Sequence, residues 1–367
     1  MTAKPLEFGV AFHAGLEVYY DPETWDMPRD VIAELAIKKF VDVCEEQRAA
    51  YLKDGDGYIE ADVQQDYNER VELGKGMFRY YFAECAPKVD TLFRPVKVEV
   101  KFEVPIINPI TGEPALCRCD DCWAHHLEGQ AGEINPARED WVGEQIMFAG
   151  RLDMLAESLE YPGTYWIFDW KTAARMMNLN LDDSFLDLDD QIGSYVMALN
   201  IIGIPVRGFI YHEQLKNFPQ PPKRNKVVRK GCAFSVSKSE PIEYDLYLKT
   251  IMAEDKQAYE DGCYDEILEW LKIEGPKYFQ RHKVIKNQKQ CEAMMLHMWQ
   301  EAQEIYNPDT QVYPSPGRFG CNWCAFRQPC LGKDNGEDYT YTLNSLYERR
   351  EHYYLRQEAS TDTKGGE

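Results

Sequence analysis

The chain has 367 residues, with 41 Lys and Arg against 62 Asp and Glu, a formal net charge of −21. Apolar residues at 44% and charged residues at 28% are ordinary globular usage, which excludes disorder as the main state and allows a large core. The acidity excludes a uniformly basic coat for nucleic acid, although one local basic groove is compatible with it. No apolar run is long enough to span a membrane, and Met1 to Phe8 lacks the pattern of a secretory leader, so a soluble cytoplasmic protein is expected.

In chain order, the first third reads as helical. Segments 30–52 and 61–86 carry apolar residues at three- and four-residue spacing (Val31, Leu35, Ala36, Phe40, Val43), and Asp-Gly-Asp-Gly at 54–57 separates them. Residues 96–104 alternate apolar and charged side chains strictly, predicting a half-buried strand that carries Glu99 and Glu103. Those two acids read as solvated, or at most as support for a nearby site. From 108 to 146 the chain is polar, aperiodic and rich in Cys, His and acids, as an insertion would be. Strands are expected at 147–157 and 164–170, a helix at 188–202 and a strand at 206–212. This order predicts an α/β fold with a mixed central sheet flanked by helices. A basic stretch follows at 221–230, then helices over 241–272 and 287–306. One domain is expected over 1–345, with the 108–146 insertion and the 241–306 helical segment inside it, and a helix end with a disordered tail over 346–367.

Six of the eleven cysteines fall in two tight clusters, which in a cytosolic chain point to metal ligation more than to disulfides. Cys44, Cys85, Cys232, Cys263 and Cys291 are scattered and read as small buried hydrophobes. Cys117, Cys119, Cys122 and His125 supply the donors of a tetrahedral Zn²⁺ site, the alternative being an idle loop of reduced thiols. Cys321, Cys324 and Cys330 are spaced for Zn²⁺ or an iron–sulfur cluster.

A second constellation carries oxygen donors. Asp153 and Asp169 lie on consecutive expected strands, and Lys171 shares a strand face with Asp169. Two hard carboxylates and a lysine are what metal-assisted phosphodiester hydrolysis needs, although Asp-x-Lys alone is as well read as an ion pair at a strand end. Gln191 and Tyr195 are one helical turn apart just after these strands, and His13 heads the first helical segment.

Taken together, His13, Gly150-Arg-Leu-Asp153, Asp169-Trp-Lys171 and Gln191-Ile-Gly-Ser-Tyr195 resemble the RecB-type branch of the PD-(D/E)XK nuclease superfamily, over roughly residues 8–212. The resemblance implies a restriction-endonuclease-like fold and a metal-dependent deoxyribonuclease, an exonuclease acting at ends of single-stranded or duplex DNA. It implies that His13, Asp153 and Asp169, with the Trp170 carbonyl, hold Mg²⁺ or Mn²⁺. Lys171 would orient the attacking water, and Gln191 and Tyr195 would position DNA and buttress the site. Cys321-x₂-Cys324-x₅-Cys330 resembles the iron–sulfur staple of AddB-type and CRISPR-adaptation exonucleases, which implies a C-terminal [4Fe–4S] cluster. The cysteine those families place ahead of the histidine has no counterpart before His13, and Cys44 or Cys85 would have to replace it. Lys223, Arg224, Lys226, Arg229 and Lys230 read as a DNA-binding patch or an exposed charged loop. Arg281, His282, Lys283 and Lys286 form a second basic group, with Phe218, Tyr278 and Phe279 as candidate base-stacking rings. No phosphate-binding Gly-x-x-x-x-Gly-Lys-Ser/Thr loop occurs, so a separate helicase or recombinase is the expected partner, in phage-type recombination, repair or replication inside a bacterial host. The competing reading is an inactive scaffold that keeps the nuclease fold and binds DNA or protein.

Overall fold

The computed structural model describes residues 4–54, 61–118, 142–176, 184–229, 231–307, 310, 315–317 and 320–348. The chain divides into two compact units, Met1–Tyr306 and Asn307–Glu367.

The first unit starts with helix α1 (Lys4–Tyr19), which buries Phe8, Ala11, Phe12, Leu16 and Tyr19 along one face. Helix α2 (Arg29–Asp54) meets it with Ile32, Ala36, Ile37, Phe40 and Cys44. The buried stripe of α2 is turned from the expected one: Val31 and Leu35 are each 47% exposed. Apolar residues are dense enough here to satisfy two adjacent helical phases, and only packing decides between them. Helix α3 (Ala61–Tyr80) continues through a π-helical turn, Tyr81–Cys85, into α4 (Ala86–Val89). Phe12 stacks on Phe78 at 4.2 Å, locking α1 to α3.

The strands are β1 (Phe93–Pro105), the short pair β2 (Leu116–Cys117) and β3 (Glu144–Gln145), β4 (Met147–Ser158) and β5 (Tyr165–Ala173). Helices α5 (Ser184–Leu188) and α6 (Asp190–Ile201) lead to β6 (Val206–Leu215). A hairpin of β7 (Arg224–Arg229) and β8 (Cys232–Phe234) is followed by α7 (Tyr244–Glu254), α8 (Lys256–Glu260) and α9 (Asp265–Ile273). The unit closes with β9 (Phe279–Val284) and α10 (Gln288–Ile305).

Five strands form one sheet in the order β1-β4-β5-β6-β9. Only β5 and β6 run parallel within it, as the helical crossover between them requires. Alternation along β5 sends Trp166, Phe168 and Trp170 into the core shared with α1–α4, and Ile167 into the core shared with α6. The result is the expected mixed sheet between helical layers. The edge strand β9 was not legible in the sequence: Phe-Gln-Arg-His-Lys-Val is polar enough to pass for a charged loop.

Residues 224–229 of the basic stretch form the first arm of the β7–β8 hairpin, which packs on a separate small core of Phe234, Tyr247, Ile251, Tyr264 and Ile267. Cys232 and Cys263 form a disulfide there, with Cα atoms 5.9 Å apart, and so are not the independent buried thiols expected of them. Their separation of 31 residues carries no pairing signal; the hairpin brings them together. Cys44 and Cys85 are buried thiols as expected, and burial raises them to about 11 and about 12. Cys291 is half-buried.

Gly150 has a steric reason. It faces Phe102 across the β1–β4 register, and a Cβ there would lie 2.3 Å from that ring. Gly150→Ala is therefore expected to cost on the order of 1–3 kcal/mol. A lowered urea midpoint at unchanged slope would report it, and an unchanged midpoint would mean that Phe102 swings aside freely.

The second unit contains α11 (Gly320–Trp323), α12 (Arg327–Asp334) and α13 (Tyr339–Leu346). Phe326 stacks on Tyr347 at 5.2 Å, and the Tyr347 hydroxyl donates to the Ala325 carbonyl at 2.6 Å. Of the expected tail, residues 349–367 lie outside the described residues, as do Cys119, Cys122 and His125. Among the described residues, no helix is long and apolar enough to cross a membrane.

Candidate metal centre

His13 sits on the flank of α1, beside the stripe that the helix buries. Its Nε2 lies 2.7 Å from the Trp170 carbonyl and its Nδ1 lies 3.4 Å from Asp153 Oδ1. Asp153 Oδ2 accepts the Trp170 backbone N–H at 2.6 Å. The peptide groups around Trp170, on the central strand β5, thus anchor both side chains. Burial works against the charged form of His13, but the Asp153 hydrogen bond, its charge and that of Asp169 outweigh it, and the pKa is raised.

The third member is Glu99. Pairing of Val98 with Met154 and of Val100 with Leu152 brackets Glu99 against Asp153 across the β1–β4 ladder. Glu99 has φ of 49°, the left-handed region that a non-glycine residue rarely occupies. That turn breaks the alternation of β1: Val98 packs on the α1–α4 side, and Val100 packs on the α6 side. One ligand atom each from His13, Glu99 and Asp153 lies within 4.8 Å of the others, and no other such group occurs among the described residues.

This triplet has Glu99 where the sequence led to Asp169. In a strand of alternating Glu and Lys, Glu99 looks like any solvated acid, and Glu103 is indeed exposed. The available signal was register: an acid on the neighbouring strand opposite Asp153. Asp169 and Lys171 share a face, as the period of two predicts. Lys171 Nζ lies 3.0 Å from Asp169 Oδ1 and 2.7 Å from Oδ2. Oδ2 nevertheless receives no hydrogen bond of acceptable angle and is buried, so it remains an acceptor without a proper donor. Burial, then the Asp153 charge, pushes the Asp169 carboxyl up from 3.8 to about 6, with Lys171 pulling the other way. Burial disfavours the Lys171 ammonium, but Asp169 outweighs it and raises that pKa, with Asp153 and Tyr195 contributing.

His13 and Glu99 line a cleft of about 440 Å³ with Glu17, Arg151, Trp170 and Lys171. The carboxylate donors suit Mg²⁺ or Mn²⁺, and the burial and Asp153 charge that raise the Asp169 carboxyl are a cost that a cation would relieve. The residues present fit a divalent cation.

Tyr195 reaches this region from α6, edge-on to Phe102 at 5.2 Å. Gln191 is exposed and lines a neighbouring cleft of about 400 Å³ with Ser194, Met294, His297 and Glu301. Lys223, Arg224 and Lys226 are exposed, and Arg224 pairs with Glu254 at 2.8 Å. Lys230 and the side chain of Arg229 lie outside the described residues. The second basic group is divided, with Lys283 exposed and His282 half-buried. Arg281 is buried in an ion pair with Asp90 at 2.8 Å, and Lys286 Nζ donates to the Leu186 and Asp187 carbonyls. Tyr278 is buried, and Phe218 and Phe279 pack against the α1–α4 core, so none presents an open face to a base.

Cys321 and Cys330 are half-buried and Cys324 is exposed, each a free thiol. Their sulfurs do not converge on one point, and the described residues of that unit include no fourth cysteine. As placed, they do not form a four-iron cluster site. Cys117 is buried among Ala115, Ile146 and Ala302.

The sheet topology and the His/Glu/Asp centre on it define a restriction-endonuclease-like α/β protein equipped for a divalent cation. A family model of the PD-(D/E)XK nuclease superfamily matches residues 2–331, and the chain belongs to that superfamily. No curated protein matches the sequence.

The raised Asp169 pKa gives a testable pH dependence. Between its unfolded value of 3.8 and its folded value of about 6, the native state holds a proton that the unfolded chain has released. Each step up through that window therefore costs the metal-free fold stability, and above it the cost is complete. A cation relieves the cost only where the carboxylate is ionised. Mn²⁺ is expected to raise the melting temperature more at pH 7.5 than at pH 5, by scanning calorimetry. An equal rise at both would separate Asp169 from the metal.

Proposed function

We propose that this protein is a metal-dependent deoxyribonuclease of the RecB type that hydrolyses phosphodiester bonds from DNA ends. The observation that carries the reading is the convergence of His13, Glu99 and Asp153, with the Asp169–Lys171 pair on the adjoining strand, in a nuclease-superfamily fold. His13, Glu99 and Asp153 would hold Mg²⁺ or Mn²⁺, with Asp169 completing the charge. Bound there, the cation supplies activation of water and compensation of charge on the attacked phosphate.

Lys171 remains an ammonium at neutral pH because its pKa is raised. Its role is therefore to donate hydrogen bonds, to the attacking water or to a non-bridging phosphate oxygen, and not to accept the proton. Asp169 holds that ammonium in place. The Trp170 peptide sets the ring of His13 and the carboxylate of Asp153 relative to each other. Tyr195 supports Lys171 from the α6 side, and Gln191 and the cations Lys223, Arg224 and Lys226 would follow the DNA outward.

A [4Fe–4S] cluster on Cys321, Cys324 and Cys330 and Zn²⁺ on Cys117, Cys119, Cys122 and His125 belong to this reading on sequence grounds only. Iron, sulfide and zinc analysis of anaerobically purified protein decides both. A helicase or recombinase partner in phage-type recombination, repair or replication follows from the same resemblance.

The decisive experiment is digestion of end-labelled linear and circular DNA, single- and double-stranded, with Mg²⁺, Mn²⁺ or EDTA. Metal-dependent loss of linear DNA with circles spared supports the exonuclease. Nicked or linearised circles would make the enzyme an endonuclease. DNA binding without cleavage in any metal would establish the scaffold reading instead.

A further inference from the structure

Arg151 lies two residues before Asp153 on β4 and pairs across the ladder with Lys101. That register places it diagonally opposite Glu99, and its Nε lies 2.9 Å from Glu99 Oε2. Both side chains line the metal cleft, with Arg151 38% and Glu99 22% exposed. Glu99 is therefore shared, one oxygen with the guanidinium and the carboxylate as a whole with the His13–Asp153 group.

Building on the nuclease reading, we propose that Arg151 couples the metal centre to the DNA. Through Nε it positions Glu99 towards the cation, and through the rest of its guanidinium it takes an oxygen of a DNA phosphate in the cleft.

Three observations support this. The left-handed backbone of Glu99 is strained, and strain persists where side-chain contacts over-determine it. The Arg151 pair is such a contact, and it fixes one carboxylate oxygen of Glu99. Second, a planar guanidinium with one edge engaged keeps N–H donors on its other edge, a geometry suited to phosphate oxygens. Third, among the described residues Arg151 and Lys171 are the arginine and lysine that line this cleft, and Lys171 is drawn to Asp169. A phosphodiester entering the cleft meets Arg151 as the cation with donors to spare. Glu17, half-buried in the same cleft and one turn beyond His13 on α1, also feels the Arg151 charge.

A half-exposed ion pair with no such role contributes little to stability, so its loss would leave binding untouched. The test measures binding without turnover. Mn²⁺ affinity is read by titration calorimetry without DNA. Affinity for labelled DNA is read by anisotropy in Ca²⁺ over a salt series, for wild type, Arg151→Gln and Arg151→Lys. Arg151→Gln is expected to lower Mn²⁺ affinity about 10- to 100-fold, as loss of a group orienting a metal ligand does. It is also expected to reduce the slope of log affinity against log salt by about one, the signature of one lost phosphate contact. Arg151→Lys keeps a cation without the Nε edge, so it restores the salt slope and not the Mn²⁺ affinity. Wild-type Mn²⁺ affinity and wild-type slope in Arg151→Gln overturn the proposal. So does loss of both in Arg151→Lys with a lowered melting temperature, which would make the pair a purely structural one. Cleavage by wild type and its absence in Asp169→Asn, measured alongside, keep the nuclease reading standing whichever way Arg151 falls.

Discussion

Asp169→Asn is expected to abolish DNA hydrolysis, by at least about 10³-fold, while leaving the metal-free protein more stable at pH 7.5. The two effects share one origin. Asp169 is nine-tenths or more buried between Phe168 and Trp170, and its ionised form is costly enough to raise the carboxyl to about 6. An amide of the same shape removes that cost and with it the charge that holds Lys171 and attracts a cation. A residue that only braced the sheet would lose stability on substitution, so the opposite signs are the diagnostic. Initial rates on linear DNA and thermal melts in EDTA measure both. Wild-type cleavage by Asp169→Asn would remove Asp169 from the chemistry, and a lowered melting temperature would make it a structural residue.

Arg281→Met is expected to destabilise the first unit by on the order of 3–5 kcal/mol, the range for removing one partner of a buried ion pair. Arg281 has 9% of its side chain exposed, and it serves Asp90 at 2.8 Å, the Tyr20 and Tyr81 hydroxyls at 3.0 and 2.8 Å, and the Val89 carbonyl at 3.2 Å. Burial already raises the pKa of Asp90, with Arg281 as the main opposing influence. Without the arginine the carboxyl rises further, so at neutral pH the variant must either bury an unpaired carboxylate or take up a proton. The sign follows: the deficit relative to wild type is larger at pH 7.5 than at pH 5, where Asp90 is closer to neutral. Urea titrations at the two values measure it, and a deficit independent of pH would mean that Asp90 is not the group left exposed to the loss. Tyr20 also stacks on Trp170 at 5.3 Å, so the network props the strand segment that carries the metal centre from beneath.

What was legible in the sequence was local. The strands around Asp153 and Asp169 follow from alternation, and the helix with Gln191 and Tyr195 begins at Asp189, whose side chain caps the Ile192 N–H at 3.1 Å. The shared face of Asp169 and Lys171 follows from strand geometry alone. What was not legible depends on partners distant in the chain. Glu99 becomes a candidate ligand only through its register against Asp153 and a backbone turn that no residue-by-residue pattern encodes. Arg281 looks like its exposed neighbours until β9 is laid against β6 and Asp90 comes up beneath it. The disulfide of Cys232 and Cys263 depends likewise on a hairpin folding back over a helix turn. The phase of α2 was a different failure, since Val31 and Ile32 are both apolar and the periodicity admits either.

The metal centre draws on three elements far apart in sequence: α1, β1 and β4. A cation gripped by His13, Glu99 and Asp153 would close two long loops of chain, one from His13 to Glu99 and one from Glu99 to Asp153. In the unfolded ensemble those closures restrict the chain much as a covalent cross-link would, and the restriction falls off only slowly with loop length. An ion held there would thus be a removable staple. Chelation would undo both closures at once, while α1 itself stays held by its buried face.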